Sequence, residues 1–271
     1  MQMTGNTIFI TGGTSGIGRG LAEAFYARGN DVIISGRRAD RLEEMRRRFP
    51  RMACLVLDVT RPEAIPSFAR RLIAEYPALN CVINNAGVQM RVSFSADGEL
   101  DDEGLQREIS TNVLGPMRIT AAILPQLAKV GPGKSPLLAT QARSGAPAPK
   151  RVPTVINVSS GLAFVPLARF PVYCATKAAI HSWTMSLRHQ LRSLGVRVIE
   201  LIPPYVATEL GGPAKTVPPG APQPMQLEVF ISETMRELET DADEIAVGEA
   251  KRMMAATSPE ATKKAFSMMN G

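Results

Sequence analysis

Seven short apolar runs rich in β-branched residues punctuate the chain: TIFIT (7–11), DVIIS (31–35), ACLVL (53–57), NCVIN (80–84), TVINV (154–158), VRVIELI (196–202) and EIAV (244–247). Most are continuous rather than alternating, which is the mark of strands buried on both faces. Between them lie stretches whose apolar positions recur three and four apart, near 17–28, 39–48, 61–75, 104–129, 173–194 and 226–238. That spacing belongs to helices that bury one side. Strand and helix in alternation predict a parallel sheet of about seven strands with helices on both faces. Right-handed crossovers then make it doubly wound. The expected fold is α/β, one doubly wound domain over residues 1–271, without internal repeats.

Two segments break the rhythm. Residues 130–153 are rich in Pro, Gly and Ala, with four basic residues and no acidic one; residues 211–224 have a similar texture. The first joins a helix to a strand, so it belongs on the amino edge of the sheet, away from the usual ligand crevice, and reads as a flexible insertion. The second follows the sixth strand on the carboxyl edge and reads as part of a substrate lid over 205–240. The helix in that lid carries Leu227, Phe230, Ile231 and Leu238 on one face. That stripe reads as core or interface packing rather than pocket lining, and the lid's scarcity of charge leans toward an apolar substrate.

Composition removes several classes of function. Hydrophobic residues at 45% and charged residues at 21% are ordinary for a soluble domain. The net charge of +6 comes partly from 37–51, RRADRLEEMRRRFPR, where acids interleave with the bases. That is a solvated helix face, not a nucleic-acid surface with interleaved aromatics. No apolar run approaches the roughly 18 residues of a membrane span. TIFITGG is reached without a basic leader, so no secretory signal is expected and the location reads as cytoplasmic. Cys54, Cys81 and Cys174 are irregularly spaced and read as reduced core residues. His181 and His189 fall on one helix without a second ligand nearby, so no metal is expected.

The chemistry gathers at two ends of the pattern. TGGTSGIG (11–18) follows the first strand and opens the first helix. Gly12, Gly16 and Gly18 permit a tight turn and a close approach of backbone to a pyrophosphate, which the helix N-terminus attracts. Thr14, Ser15 and Ile17 belong to the same loop and count with it as cofactor contacts. About twenty residues on, an NAD site commonly has a carboxylate for the ribose 2′-hydroxyl. Here SGRR puts Arg37 and Arg38 there. A guanidinium pairs with a 2′-phosphate where a carboxylate repels it, so NADP is the expected cofactor. The plainer alternative is that both arginines only begin the next helix from its wet side.

At the other end, Tyr173 stands four residues before Lys177 in PVYCATKAAI (171–180), one helical turn apart on a shared face. The fifth strand ends in NVSSG, so Ser159 and Ser160 emerge on the same carboxyl edge. A phenol titrates near 10, and lowering it by about three units needs roughly 4 kcal/mol. One ammonium about 4 Å away supplies about that much at an effective dielectric near 20. The pair is thus adequate for proton transfer to or from an alcohol.

These pieces, with LDVT (57–60), NNAG (84–87), TNVLG (111–115) and IPPYVAT (202–208), resemble the short-chain dehydrogenase/reductase family in its single-domain, Rossmann-type branch. They occur in the family's order and span nearly the whole chain. The resemblance implies that Tyr173 is the acid/base and Lys177 its partner, which also holds the nicotinamide ribose. Ser160 would polarise the substrate oxygen, while Ser159 would bond within its loop. Asn112 would hold a water linking Lys177 to solvent. Asp58 and Val59 would contact adenine, Asn85, Ala86 and Gly87 would line the adenosine ribose, and Val206 and Thr208 would meet the carboxamide. The family usually has Pro-Gly where this chain has Pro203-Pro204, a turn that cannot use a glycine conformation. That pair, with TDADEIAVG (240–248), resembles the DltE-like sub-branch.

The implied activity is NADP-dependent interconversion of a small-molecule carbonyl and a secondary alcohol. Alternatives are reduction of a carrier-bound acyl chain, and a non-catalytic NADP sensor. A homo-oligomer, dimer or tetramer, is implied through the helices near 104–129 and 173–194. Ala179, Trp183 and Leu187, four apart on the second helix, would serve that face or their own sheet.

Overall fold

The apolar runs all become strands in the computed structural model, which describes residues 1–94, 98, 100–130, 151–210, 223–256 and 258–270. They are β1 (Thr7–Thr11), β2 (Asp31–Gly36), β3 (Ala53–Val56), β4 (Leu79–Asn84), β5 (Thr154–Val158), β6 (Arg197–Ile202) and β7 (Glu244–Ala246). One parallel sheet results, in the order β3-β2-β1-β4-β5-β6-β7. The chain runs outward from β1 through β2 and β3, then returns to β4 and runs the other way. The crevice of such a sheet opens beyond the carboxyl ends of β1 and β4.

Both faces are covered. The helices are α1 (Gly16–Ala27), α2 (Ala39–Arg48), α3 (Ile65–Glu75), α4 (Asp102–Ile109), α5 (Gly115–Val130), α6 (Pro171–Leu191), α7 (Leu227–Leu238), α8 (Ala250–Ala255) and α9 (Pro259–Asn270). Along β1, Ile8 and Ile10 join Leu21, Phe25 and Phe230 on one side, while Phe9 joins Phe68, Leu72, Ile119 and Ile123 on the other. Alternate side chains of a strand feed opposite layers, so an all-apolar strand is what two covered faces require. The Leu227–Phe230–Ile231–Leu238 stripe packs into the first of these layers. A methyl at Gly20 of α1 would come within 2.7 Å of Ile231. Trp183 and Leu187 pack into the second layer, so this stripe of α6 faces its own sheet and not a partner.

The helix expected over 104–129 is three pieces. A π turn, Ser110–Leu114, separates α4 from α5. Pro116 has no N–H to offer the Asn112 carbonyl four residues earlier, so a regular α ladder fails there, and a π turn accommodates the break. The helices α8 and α9 had no counterpart in the sequence pattern. The first is only six residues long, and the second buries none of its residues. Asn270 at its end donates to the Pro166 carbonyl at 3.1 Å. In the sequence, the expected insertion at 130–153 runs from the end of α5 to the start of β5. Its residues 131–150 lie outside the described residues, as do residues 211–222 of the expected lid. No described helix is long and apolar enough to cross a membrane.

Candidate active site

The glycine loop is held tightly against its neighbours. Gly12 and Gly16 have φ of +67° and +52°, conformations that favour glycine. A Cβ on Gly12 would lie 2.9 Å from the Ala86 backbone, and one on Gly18 would lie 2.3 Å from Asn85 Nδ2 and 2.4 Å from the Gly12 carbonyl. Asn85 Nδ2 donates to the carbonyls of Thr11 (3.0 Å) and Gly12 (3.2 Å), and the Ala86 N–H donates to Thr11 Oγ1 at 3.1 Å. Thr14 is buried against Gly36 at the end of β2. Ser15 is the N-cap of α1 but makes no side-chain cap, so it does not occupy the N–H groups that open this helix near Ile17. A shaped backbone cradle at an uncapped helix N-terminus fits a pyrophosphate.

The elements beside it hold the remaining candidates. Arg37 and Arg38 follow β2 and are exposed, and Arg38 begins α2. Arg38 Nη2 lies 3.4 Å from Ser15 Oγ, across the mouth of the glycine loop, and Nη1 lies 3.8 Å from a Glu209 carboxylate oxygen. Asp58 accepts from the N–H and hydroxyl of Thr60 at 3.0 and 2.8 Å, which shapes the turn after β3. Val59 is buried and would be 3.1 Å from a methyl on Gly115. Gly87 lies beside Asn112 and Lys177: its Cβ would meet them at 3.5 and 3.8 Å. Val206 is buried and bridges to Met225, and Thr208 stands 3.3 Å from where a Gly16 Cβ would sit. The carbonyl of Pro203 accepts from the Gly161 N–H at 2.9 Å, so the double proline joins the loop after β6 to the loop after β5.

At the carboxyl ends of β4 and β5 the other candidates meet. Tyr173, Lys177, Ser160 and Asn112 are all buried, and Ser160 Oγ accepts from the Leu162 N–H at 3.1 Å. Lys177 Nζ donates to the Val158 carbonyl at 2.8 Å and sits 5.6 Å from the centre of the Tyr173 ring. Asn112 accepts from the Val88 N–H at 2.9 Å, and donates to the Val88 carbonyl at 2.9 Å and to Thr176 Oγ1 at 3.1 Å. Both amide N–H groups of Asn112 are therefore used, and they tie the π turn to α6. A water held by Asn112 would need its remaining side-chain lone pair or its main-chain carbonyl.

Two expectations need correction. The Tyr173 hydroxyl is pushed above the usual phenol value, first by burial and further by Cys174 and Glu108, while Ser160 opposes the rise. The Lys177 ammonium donates to the Val158 carbonyl and lies 5.6 Å from the ring centre, and its charge does not outweigh the burial of the phenol. Burial also lowers Lys177 to about 8, against the charges of Glu200 and Glu108, which favour its protonated form. Ser159, in turn, does not bond within its loop: its hydroxyl donates to Glu200 Oε1 on β6 at 2.5 Å.

Sequence reasoning missed two acids. Glu108 is buried, accepts from the Met90 N–H at 3.1 Å and leaves Oε2 without a described partner; burial pushes its carboxyl upward. Glu200 is buried inside β6. The signal for both was an acid in an apolar run, EIS before TNVLG and VIELI within the sixth strand. A cavity of about 900 Å³ lies between the loops that follow β4 and β5, lined by Val92, Phe94, Leu162, Leu167, Ala178 and Phe266 among others. It takes the α6 face of Cys174 and Ala178, not that of Tyr173 and Lys177. Among the described residues no cluster of three His, Cys, Asp or Glu fits a metal ion.

The short chain dehydrogenase family profile matches residues 6–217. The chain is 41% identical over 214 residues to an uncharacterized oxidoreductase, DltE, of Bacillus subtilis, covering 78% of this chain and 75% of that protein. It is 31% identical over 205 residues to sulfoacetaldehyde reductase 2 of Chromohalobacter salexigens, covering 74% and 73%. A solved short chain dehydrogenase from Burkholderia cenocepacia J2315, in complex with NADP, shares the fold with a TM-score of 0.77 and 26% identity, over 98% of this chain and 99% of that one. The motifs, the strand order and these relatives agree: the chain belongs to the short-chain dehydrogenase family of oxidoreductases, in its DltE-like branch.

Proposed function

We propose that the protein, as a single domain, uses NADPH to reduce a small-molecule carbonyl to a secondary alcohol, with Tyr173 as the proton donor. The observation that carries this reading is the shared burial of Tyr173, Ser160 and Lys177, with Lys177 Nζ on the Val158 carbonyl two residues before the serine, at the same sheet edge as the glycine cradle. NADPH, when bound, supplies the hydride. Ser160 holds the carbonyl oxygen, and Tyr173 passes its proton to that oxygen as the alcohol forms. Lys177 keeps a positive charge beside the phenolate that remains. Tyr173 is protonated throughout the neutral range and is therefore in the form that a proton donor needs. Three free, buried cysteines suit a reducing, cytoplasmic compartment.

Arg37 and Arg38 are assigned to the 2′-phosphate. Steady-state oxidation of NADPH and NADH against a panel of ketones and aldehydes tests both the reaction and the cofactor. The wild type should prefer NADPH, and replacing both arginines with alanine should weaken NADPH far more than NADH. Each charge-assisted pair is worth about 1.5–3 kcal/mol, so the double variant should lose roughly 10²-fold or more for NADPH. Equal losses, or a wild-type preference for NADH, would remove the assignment. Binding of NADPH without turnover of any carbonyl would favour the sensor.

Assembly as a homo-oligomer is proposed through the outer face of α6, where Ala175, Ala178, Ser182 and Met185 are exposed at helical spacing. Met185 is 52% exposed. Light scattering should give a dimer or tetramer at micromolar concentration, and Met185→Glu should shift it to the monomer. A monomeric wild type would end this assignment.

A further inference from the structure

We propose that Glu200 is a positioning residue for this reaction: it ties the strand end that carries Ser160 to the helix that carries Tyr173 and Lys177. The proposal rests on the reading just given, and its starting observation is a row of polar residues across four neighbouring strands. Asn84, Asn157, Glu200 and Glu244 stand in register on β4, β5, β6 and β7. Each reaches a covering helix. Asn84 Nδ2 donates to Thr120 Oγ1 of α5 at 2.9 Å, and also to Asn157 Oδ1 at 2.8 Å. Asn157 Nδ2 donates to Thr184 Oγ1 of α6 at 2.9 Å. Glu200 Oε2 is 2.8 Å from His181 Nδ1, and Arg188 Nη1 donates to Glu244 at 3.3 Å. Three of these anchors, Thr184, His181 and Arg188, lie on α6.

Apolar packing alone specifies the height and rotation of a helix loosely, whereas hydrogen bonds between fixed partners allow one arrangement. Glu200 is the member whose cost is largest, because a fully buried carboxylate is unfavourable unless both oxygens are satisfied. Both are. Oε1 takes the Ser159 hydroxyl at 2.5 Å and Oε2 takes His181. Ser159 directly precedes Ser160, and His181 lies one turn beyond Lys177 and two beyond Tyr173 on α6. One carboxylate thus grips the immediate neighbours of both working groups. The ring of His181 is steadied from outside by Phe164, 4.6 Å away between centres. A misplacement of about 1 Å in such a site costs on the order of 10²-fold.

The test cuts each tie separately. Ser159→Ala releases the strand, and His181→Phe releases the helix while keeping the stacked ring. Each should lower kcat by about 10–100-fold with NADPH Kd within about three-fold of the wild type. Glu200→Gln, which keeps both hydrogen bonds, should recover at least about tenfold of the loss seen with Glu200→Leu. Hydrogen exchange of Ser159→Ala should rise at 159–163 and 171–177 and stay unchanged in β1 and α1. Values of kcat within three-fold of wild type in both single cuts, or a Gln variant no better than Leu, would overturn the proposal. If the wild type reduces no carbonyl at all, the reaction reading falls and exchange decides the tie: raised exchange upholds it, unchanged exchange ends it. The single-hydroxyl cut at Ser159 keeps the test open should Glu200→Leu fail to fold.

Discussion

Tyr173→Phe should lower kcat for carbonyl reduction by about 10²–10⁴-fold, the range for general acid–base catalysis, while NADPH Kd stays within a few-fold of wild type. The ring is buried, so phenylalanine fills the same space and withholds the proton. Ser160 accepts from the Leu162 N–H at 3.1 Å whatever stands at 173, so the loop after β5 stays in place. The pH profile separates this from a packing effect. Burial holds the Tyr173 proton above the usual phenol value, so reduction by the wild type should be flat from about pH 6 to 7 and decline only as Lys177 loses its charge near 8. Oxidation of the alcohol needs the deprotonated phenol and should climb with pH. Residual activity of Tyr173→Phe above about a tenth of the wild type would contradict an acid–base role, and the mechanism would have to be reassigned.

How much of this was legible in the sequence depends on the range of the interaction. The strands were visible because a parallel sheet covered on both faces demands continuous apolar runs, and six helices were visible because each buries one stripe. The glycine loop, Tyr173, Lys177 and Ser160 were visible as local motifs at fixed spacing. What failed was long-range or context-dependent. The π turn follows from Pro116 acting on Asn112, a bond-by-bond argument that periodicity cannot see. The α9 helix buries nothing, so it left no stripe to detect. The Ser159 partner lies 41 residues away on a neighbouring strand, reachable only once register is known. The expected lowering of Tyr173 by Lys177 used a distance and a dielectric that spacing suggested. Burial of both groups reversed the balance, because desolvation opposes any charge that enters the interior.

The same reversal makes Lys177→Met a variant that should be more stable than the wild type and catalytically inactive. Burial lowers the Lys177 ammonium from 10.5 to about 8. At about 1.4 kcal/mol per unit, holding that charge inside costs about 3 kcal/mol at neutral pH. Methionine has a similar length and no charge to desolvate. The Val158 carbonyl loses its donor, which returns about 1 kcal/mol of that gain. The net expectation is about 2 kcal/mol, or a Tm higher by about 4–8 °C at pH 7. The sign with pH follows from linkage. Between about 8 and 10.5 the unfolded lysine binds its proton more than the folded one does, so wild-type stability from this group rises with pH. The advantage of Lys177→Met should therefore be largest below about pH 8 and shrink toward pH 10.5. Paired thermal melts at pH 6, 7, 8, 9 and 10 measure it. A variant less stable than the wild type at pH 7, or a gap that widens with pH, would mean the ammonium is well solvated by its neighbours. Loss of turnover with a gain in stability would mark Lys177 as a charge kept inside the fold for the chemistry and not for the fold.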